Sequence, residues 1–122
     1  MNKINKIIRD KIVIADDVKI ASTLFKKARG LMFSRRLKNN QAMVFINKEE
    51  SMMESSLHML FVFYSIDVAW MNKNMEIVDL RERLKPFMLF ITPKKAAKYV
   101  LEMSAGKIKD VKMRIGDRLK FL

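Results

Sequence analysis

Two apolar segments joined by a short polar turn constrain the fold of this chain more than any other feature. The first segment is Ile66–Met71, and the second, residues 75–84, mixes apolar with charged side chains so that one strand face is only partly apolar. Between them stands Asn72-Lys73-Asn74, and asparagine is common where a chain reverses direction. Apolar runs separated by such a turn are typical of a β-hairpin. We therefore predict antiparallel strands over these two segments.

Further strands and helices are predicted from composition and capping residues. Apolar, β-branched runs indicate strands at residues 4–15, 18–21 and 42–46, and a turn at Gly116 leads into a last strand. Short helices are predicted at residues 23–29, between Ser22 and Gly30, at residues 93–98 after Thr92, and within residues 104–113. Residues 52–63 fit a buried strand or a helix equally well.

These elements predict an α+β fold with one compact domain over residues 1–122. The fold is mainly an antiparallel β-sheet, barrel-like, with two or three short helices. The length of 122 residues suits one domain, and no Gly, Ser or Pro-rich linker divides the chain.

Composition excludes several classes of site. The chain has no Cys, and this excludes disulfides, zinc ribbons, iron–sulfur clusters and thiol nucleophiles. Three scattered Gly residues form neither a phosphate-binding loop nor a dinucleotide fingerprint. With one His and no clustered carboxylates beyond Glu49, Glu50 and Glu54, we predict no metal and no cofactor. We expect a cytoplasmic protein without a membrane partner, since the longest apolar run is too short to span a bilayer.

The charge pattern indicates an anionic partner. The formal net charge is +12, and no acidic residue stands between Asp17 and Glu49. Candidate anion-binding residues from this stretch are Lys26, Lys27, Arg29, Arg35, Arg36 and Lys38. A second basic stretch covers residues 94–120, and the two would form one positive patch if the fold placed them side by side. The alternative is that these residues are only a solvated surface.

Catalytic residues are less well indicated, and we assign none. His58 is the only side chain that titrates near neutral pH without perturbation. Asp67 and Glu102 are acidic residues inside apolar strand candidates, where a buried carboxylate needs a partner. They are therefore the weak catalytic candidates beside His58, although each could equally lie on the polar face of its strand. Trp70 has apolar neighbours, so we predict a core position for it and no base-stacking role.

Several short motifs occur together in a fixed order. They are residues 28–33 (ARGLMF), 42–45 (AMVF), 65–71 (SIDVAWM), 93–102 (PKKAAKYVLE), Ala105-Gly106 and Ile115-Gly116-Asp117. In this combination the chain resembles the uncharacterised family called domain of unknown function 192, or uncharacterised protein family 0127, over roughly residues 12–122. The resemblance implies a compact mixed domain rich in β-structure. It implies no established activity, and where many bacterial relatives have Trp-Met-Lys-Asn this chain has His58-Met59-Leu60-Phe61.

Three functions follow as hypotheses. The first is a small non-enzymatic domain that binds an anion, either a nucleic acid or a phosphorylated or acidic ligand, through the basic residues. The second is a hydrolase-like enzyme that uses His58 with an acidic partner. The third is an assembly module in which residues 59–64 contribute to a homodimer, and the sequence leaves the oligomeric state open.

Overall fold

The computed structural model describes residues 3–21 and 30–122. In chain order its elements are β1 (Ile7–Arg9), β2 (Ile12–Ala15), β3 (Asp17–Ala21), β4 (Gln41–Ser51), β5 (Ile66–Met71), β6 (Ile77–Leu84), β7 (Ala97–Ser104), α1 (Lys107–Asp110) and β8 (Lys120–Phe121). The predicted hairpin is confirmed as β5 and β6, which pair antiparallel from Ile66↔Leu84 to Met71↔Ile77.

The strands form two sheets. A three-stranded sheet has the order β2-β1-β8, and a five-stranded sheet has the order β3-β4-β7-β5-β6. Pairing is antiparallel except between β3 and β4, which run parallel from Asp17↔Gln41 to Ala21↔Phe45. Across the described ranges neither sheet closes on itself, so the barrel-like expectation is wrong while the mainly antiparallel sheet is confirmed.

The helix prediction also needs correction. The described residues contain one short α-helix, α1, within the segment predicted as residues 104–113. The helix predicted at residues 93–98 is wrong, because Ala97 already pairs with Ser51 as the first residue of β7. Proline at position 93 favours an extended residue before it, and the Lys94 amide is held by the Asp79 carboxylate at 2.9 Å. The helix predicted at residues 23–29 lies outside the described residues.

The five-stranded sheet has two differently covered faces. Its small-sheet face packs against β1, β2, β8 and α1, with Ala42, Val44, Leu101 and Met103 contributed by the large sheet. Its loop face packs against irregular segments that contribute Leu31, Met59, Val62, Tyr64 and Ile91. Side chains alternate between the two faces along each strand. No helix of the described segments is long and apolar enough to cross a membrane.

Trp70 lies in the core of the loop face, as predicted. Its side chain is completely buried, and the indole Nε1–H donates a 2.7 Å hydrogen bond to the Ser55 carbonyl oxygen. Residues 52–63, which the sequence left ambiguous, form turns whose one described bridge joins Leu57 to Ile91. These turns cover the loop face and position the cavity described below.

Candidate functional site

A basic groove lies where β3 and β4 begin. It has a volume of about 420 Å³, and its cationic lining residues are Lys19, Arg35, Arg36 and Lys38. All four are exposed. Leu31, Leu37, Ala42 and Met43 supply apolar lining. We call this site the basic groove.

Local hydrogen bonds shape the turn that carries these cations. The Lys38 amide donates to Gln41 Oε1 at 2.9 Å, and the Gln41 amide donates to the Lys38 carbonyl oxygen at 3.0 Å. The Gln41 side chain in turn donates from Nε2 to Asp17 Oδ2 at 3.0 Å. Because Gln41 and Asp17 also pair in register, these bonds fasten the basic turn to the parallel strands.

The groove contains part of the predicted set of anion-binding residues. Arg35, Arg36 and Lys38 line it together, whereas Lys26, Lys27 and Arg29 lie outside the described residues. No residue of the second basic stretch, 94–120, is among its described lining residues. Lys19 was not among the predicted site residues, and it enters because β3 lies parallel to β4.

A small cavity of about 80 Å³ shares the Leu31 wall with the groove. Its lining brings together two of the weak catalytic candidates, His58 and Glu102, along with Glu54. Glu102 is only 4 % exposed and lies on the loop face, since its neighbours Leu101 and Met103 point to the other face. We call this space the Glu102 cavity.

The Glu102 carboxyl group keeps its proton at a pH where glutamate side chains are normally ionised. Within residues 3–21 and 30–122 it forms no hydrogen bond or ion pair, and burial raises its pKa to about 8. A group with that pKa is mostly neutral at pH 7 and carries a proton that it can donate. An uncharged carboxyl group is also far cheaper to bury than a carboxylate.

Tyr64 lies in the core of the loop face and is linked to the groove through Ser34. Its hydroxyl lies 2.7 Å from the Ser34 hydroxyl, and Ser34 lines the basic groove. Burial raises the pKa of Tyr64, the bond to Ser34 lowers it, and the charge of nearby Glu102 raises it. The Tyr64 phenol is therefore hydrogen-bonded to a residue of the groove wall and lies close enough to Glu102 to be influenced by its charge.

The ring of His58 is held by the backbone. The Leu60 amide donates to His58 Nδ1 at 3.1 Å, so the neutral ring carries its proton on Nε2. In that tautomer neither ring nitrogen offers an unused lone pair, which does not suit a general base. His58 lies in the cavity wall with its Nδ1 occupied by the Leu60 amide.

Asp67 is placed on the opposite face of the sheet. Its carboxylate accepts hydrogen bonds from the amides of Arg83 at 2.9 Å, Gly106 at 3.1 Å and Ile108 at 2.9 Å. Gly106 has a φ of 94°, a conformation that glycine adopts without strain. Asp67 thus ties β5 to β6 and to the start of α1, and it does not line the Glu102 cavity.

Sequence reasoning missed a cluster of exposed phenylalanines. Phe33, Phe61, Phe63 and Phe87 contact one another with ring centroids 4.8 to 6.4 Å apart, and we call them the aromatic platform. Two of them belong to residues 59–64, the segment considered for a homodimer. In that segment Met59, Val62 and Tyr64 are buried, and Leu60, Phe61 and Phe63 are exposed. Because buried and exposed residues follow one another irregularly in these turns, they leave no periodic signal that a sequence could show.

Comparisons with known proteins show which family this chain is similar to. The family model described as Uncharacterized ACR (DUF192) matches residues 6–121. A UPF0127 protein of Thermococcus sibiricus is 41% identical over 102 residues, which are 84% of this chain and 64% of the relative. The UPF0127 protein PH1112 of Pyrococcus horikoshii is 37% identical over 105 residues, which are 86% of this chain and 87% of the relative. This chain therefore spans less than two thirds of the length of some relatives and most of others.

Two solved structures share the fold. One, from Sinorhizobium meliloti and provisionally described as a transcription regulator, has a TM-score of 0.80 at 25% identity and covers 85% of this chain and 80% of its own. The other, a protein of unknown function from Novosphingobium aromaticivorans, has a TM-score of 0.78 at 19% identity and covers 84% of this chain and 73% of its own. Together the motifs, the fold and the sequence matches establish that this chain belongs to the uncharacterised DUF192 family.

Proposed function

We propose that this protein is a non-enzymatic binding domain whose basic groove takes an anionic ligand. The observation that carries the proposal is the convergence of Arg35, Arg36, Lys38 and Lys19 on one groove. In the part of the chain that the structure describes, none of these four side chains forms an ion pair. Four cations face one carboxylate there, that of Asp17.

The chemistry of the groove favours phosphate or carboxylate groups on an organic ligand. Like charges that share a groove repel one another, and a bound anion relieves that repulsion. The two guanidinium groups of Arg35 and Arg36 can each hold two oxygens of such an anion. The apolar lining, including Leu37 and Met43, suits the uncharged part of the ligand. The provisional description of the Sinorhizobium meliloti protein as a transcription regulator supports a nucleic acid as that ligand.

A salt series with two double variants tests the groove. Arg35→Glu/Arg36→Glu reverses two charges in the groove, and Lys11→Glu/Lys109→Glu reverses two exposed charges elsewhere. Both variants lower the net charge by four. We expect inorganic polyphosphate to bind the groove variant at least about tenfold more weakly than the control, with a shallower slope of log affinity against log salt. Equal weakening in both variants would assign binding to net charge alone and contradict the groove.

A hydrolase is the second candidate function, because His58 and Glu102 line the same cavity. The Glu102 carboxyl group is mostly protonated at pH 7, which fits a general acid better than activation of a nucleophile. Turnover of p-nitrophenyl acetate or p-nitrophenyl phosphate by the wild type, lost in both His58→Ala and Glu102→Gln, would support this candidate. No turnover, or turnover unchanged in the two variants, would contradict it.

A further inference from the structure

We propose that the ligand of the basic groove is a single-stranded nucleic acid whose bases stack on the aromatic platform. This inference rests on the proposed anion-binding function and names the ligand. Proteins that bind single strands without sequence preference combine a cationic groove for the backbone with aromatic rings for the bases. Both components are present here, and they adjoin.

The platform presents ring surface to solvent in a fixed arrangement. Phe33 and Phe61 stack with centroids 4.8 Å apart and an interplanar angle of 18°. Phe87 packs edge-on against both Phe61, at 5.9 Å, and Phe63, at 5.3 Å. Phe33 is nevertheless 64% exposed and Phe63 is 61% exposed. The rings hold one another in place while leaving aromatic surface free for another planar group.

The platform adjoins the groove through the turn that carries Phe33 and Arg35. Phe33 and Arg35 are separated only by Ser34, so their Cα atoms lie within about 7 Å of each other. The Phe33 amide donates to the Phe61 carbonyl oxygen at 2.9 Å, and the Ser34 hydroxyl donates to the Leu31 carbonyl oxygen at 2.7 Å. A strand that places a phosphate on Arg35 would therefore bring an adjacent base within reach of Phe33.

The backbone at the platform is strained. Phe33, Phe61 and Phe87 have φ values of 57°, 55° and 65°, in the left-handed region that few residues other than glycine and asparagine adopt. Hydrogen bonds hold two of these positions, since the Phe87 amide donates to the Met59 carbonyl oxygen at 2.8 Å. Strain of this kind is concentrated at functional sites.

Charge favours a nucleic acid over a lipid surface as the occupant. A protein that anchors to a membrane by inserting aromatic rings needs no groove beside them. Here the basic groove, with its four cationic side chains, lies next to the rings. A single strand uses both features at once, with phosphates in the groove and bases on the platform. Stacking is also tolerant of sequence, because every base has an aromatic face.

Two oligomers and three variants test the proposal. The oligomers are a fifteen-nucleotide oligothymidylate and an abasic strand with the same number of phosphates. The platform variant is Phe33→Ala/Phe63→Ala. The matched control is Phe90→Ala, which removes a phenylalanine that is 88% exposed and outside the described ring contacts. A far-ultraviolet dichroism spectrum of each variant confirms folding, and Phe33→Trp/Phe63→Trp serves as the rescue variant.

We expect the wild type to bind oligothymidylate at least about tenfold more tightly than the abasic strand. The platform variant should lose that preference but keep its affinity for the abasic strand, while the control and rescue variants keep the preference. Equal wild-type affinity for both strands would overturn stacking and leave the groove proposal intact. No binding of either strand would overturn the nucleic acid as ligand, and the polyphosphate series would decide the groove proposal separately. The contrary outcome is a platform variant that loses binding to phosphatidylserine vesicles while its binding to oligothymidylate is unchanged. That result would overturn the proposal that the platform binds nucleic acid and would assign it to a membrane surface.

Discussion

Two buried carboxyl groups on neighbouring strands show how differently the two faces of the large sheet are built. Asp67 lies on β5 and Glu102 on β7, where Val68 pairs with Glu102. Asp67 is completely buried on the small-sheet face, and Glu102 is almost as buried on the loop face. Burial alone therefore does not distinguish them.

Their hydrogen bonds do distinguish them. Asp67 accepts three bonds from backbone amides, one in β6 and two at the start of α1. Glu102 has no such bonds among the described residues, and a cavity lies beside it. A buried acid whose oxygens are occupied by backbone donors stabilises the fold. One that faces a cavity with an unused donor is available to a ligand.

The largest expected effect is a loss of stability when Asp67 is replaced. Asp67→Ala leaves three amides without their acceptor, and an unpaired buried amide costs about 1 to 3 kcal/mol. We expect the free energy of unfolding to fall by about 5 kcal/mol, measured by urea denaturation. Asp67→Asn keeps one acceptor oxygen and should lose about half as much. A loss below about 1 kcal/mol for Asp67→Ala would show that the carboxylate is not a structural tie.

Sequence patterns predicted the elements that local composition controls. The hairpin of β5 and β6 was predicted because apolar runs and an asparagine turn coincide there. The same reasoning failed at residues 93–98, where a Thr-Pro signal typical of helices is overridden by pairing of Ala97 with Ser51. It also failed to show that the strands divide into two open sheets, since the pairing of β1 with β8 joins the two ends of the chain. Such long-range pairing leaves no local trace.

The second-largest expected effect is the pH dependence that Glu102 gives to the free energy of unfolding. Its pKa is about 8 in the folded protein and 4.5 in an ordinary environment. Between these values the folded protein keeps a proton that the unfolded chain releases, so stability falls as pH rises through this window and levels off above about 8. From pH 5 to pH 7 this contribution amounts to about 3 kcal/mol.

Glu102→Gln isolates that contribution, because glutamine has the same shape and does not titrate. We expect the free energy of unfolding of the wild type, relative to this variant, to fall by about 3 kcal/mol between pH 5 and pH 7. Chemical denaturation of both proteins at a series of pH values measures this difference. Parallel pH profiles would mean that Glu102 ionises normally in the folded state, and the contrast with Asp67 would then disappear.

The candidate site was partly predictable. Arg35, Arg36 and Lys38 were identified because no acidic residue interrupts their stretch, which is a property of sequence alone. Lys19 joins them through the parallel pairing of β3 with β4, and Glu102 meets His58 through packing of irregular turns on the loop face. The aromatic platform was not predicted, since an apolar run normally indicates a core. Left-handed turns, which bring Phe33 and Phe61 to the surface, depend on tertiary hydrogen bonds.

The smallest expected effect concerns the Tyr64 hydroxyl, which is hydrogen-bonded to Ser34 in the groove wall. The Ser34 hydroxyl donates to the Leu31 carbonyl oxygen, so the Tyr64 hydroxyl donates to Ser34. Tyr64→Phe removes only this second bond and leaves no backbone group unpaired. We expect a loss of about 1 kcal/mol, or about 4 °C in Tm by thermal denaturation. Tyr99→Phe is the matched control, because its hydroxyl forms no hydrogen bond with the described residues and its ring packs on Phe121. If both substitutions lower Tm equally, Tyr64 contributes through packing alone. The hydrogen bond between Ser34 and Tyr64 would then add no measurable stability.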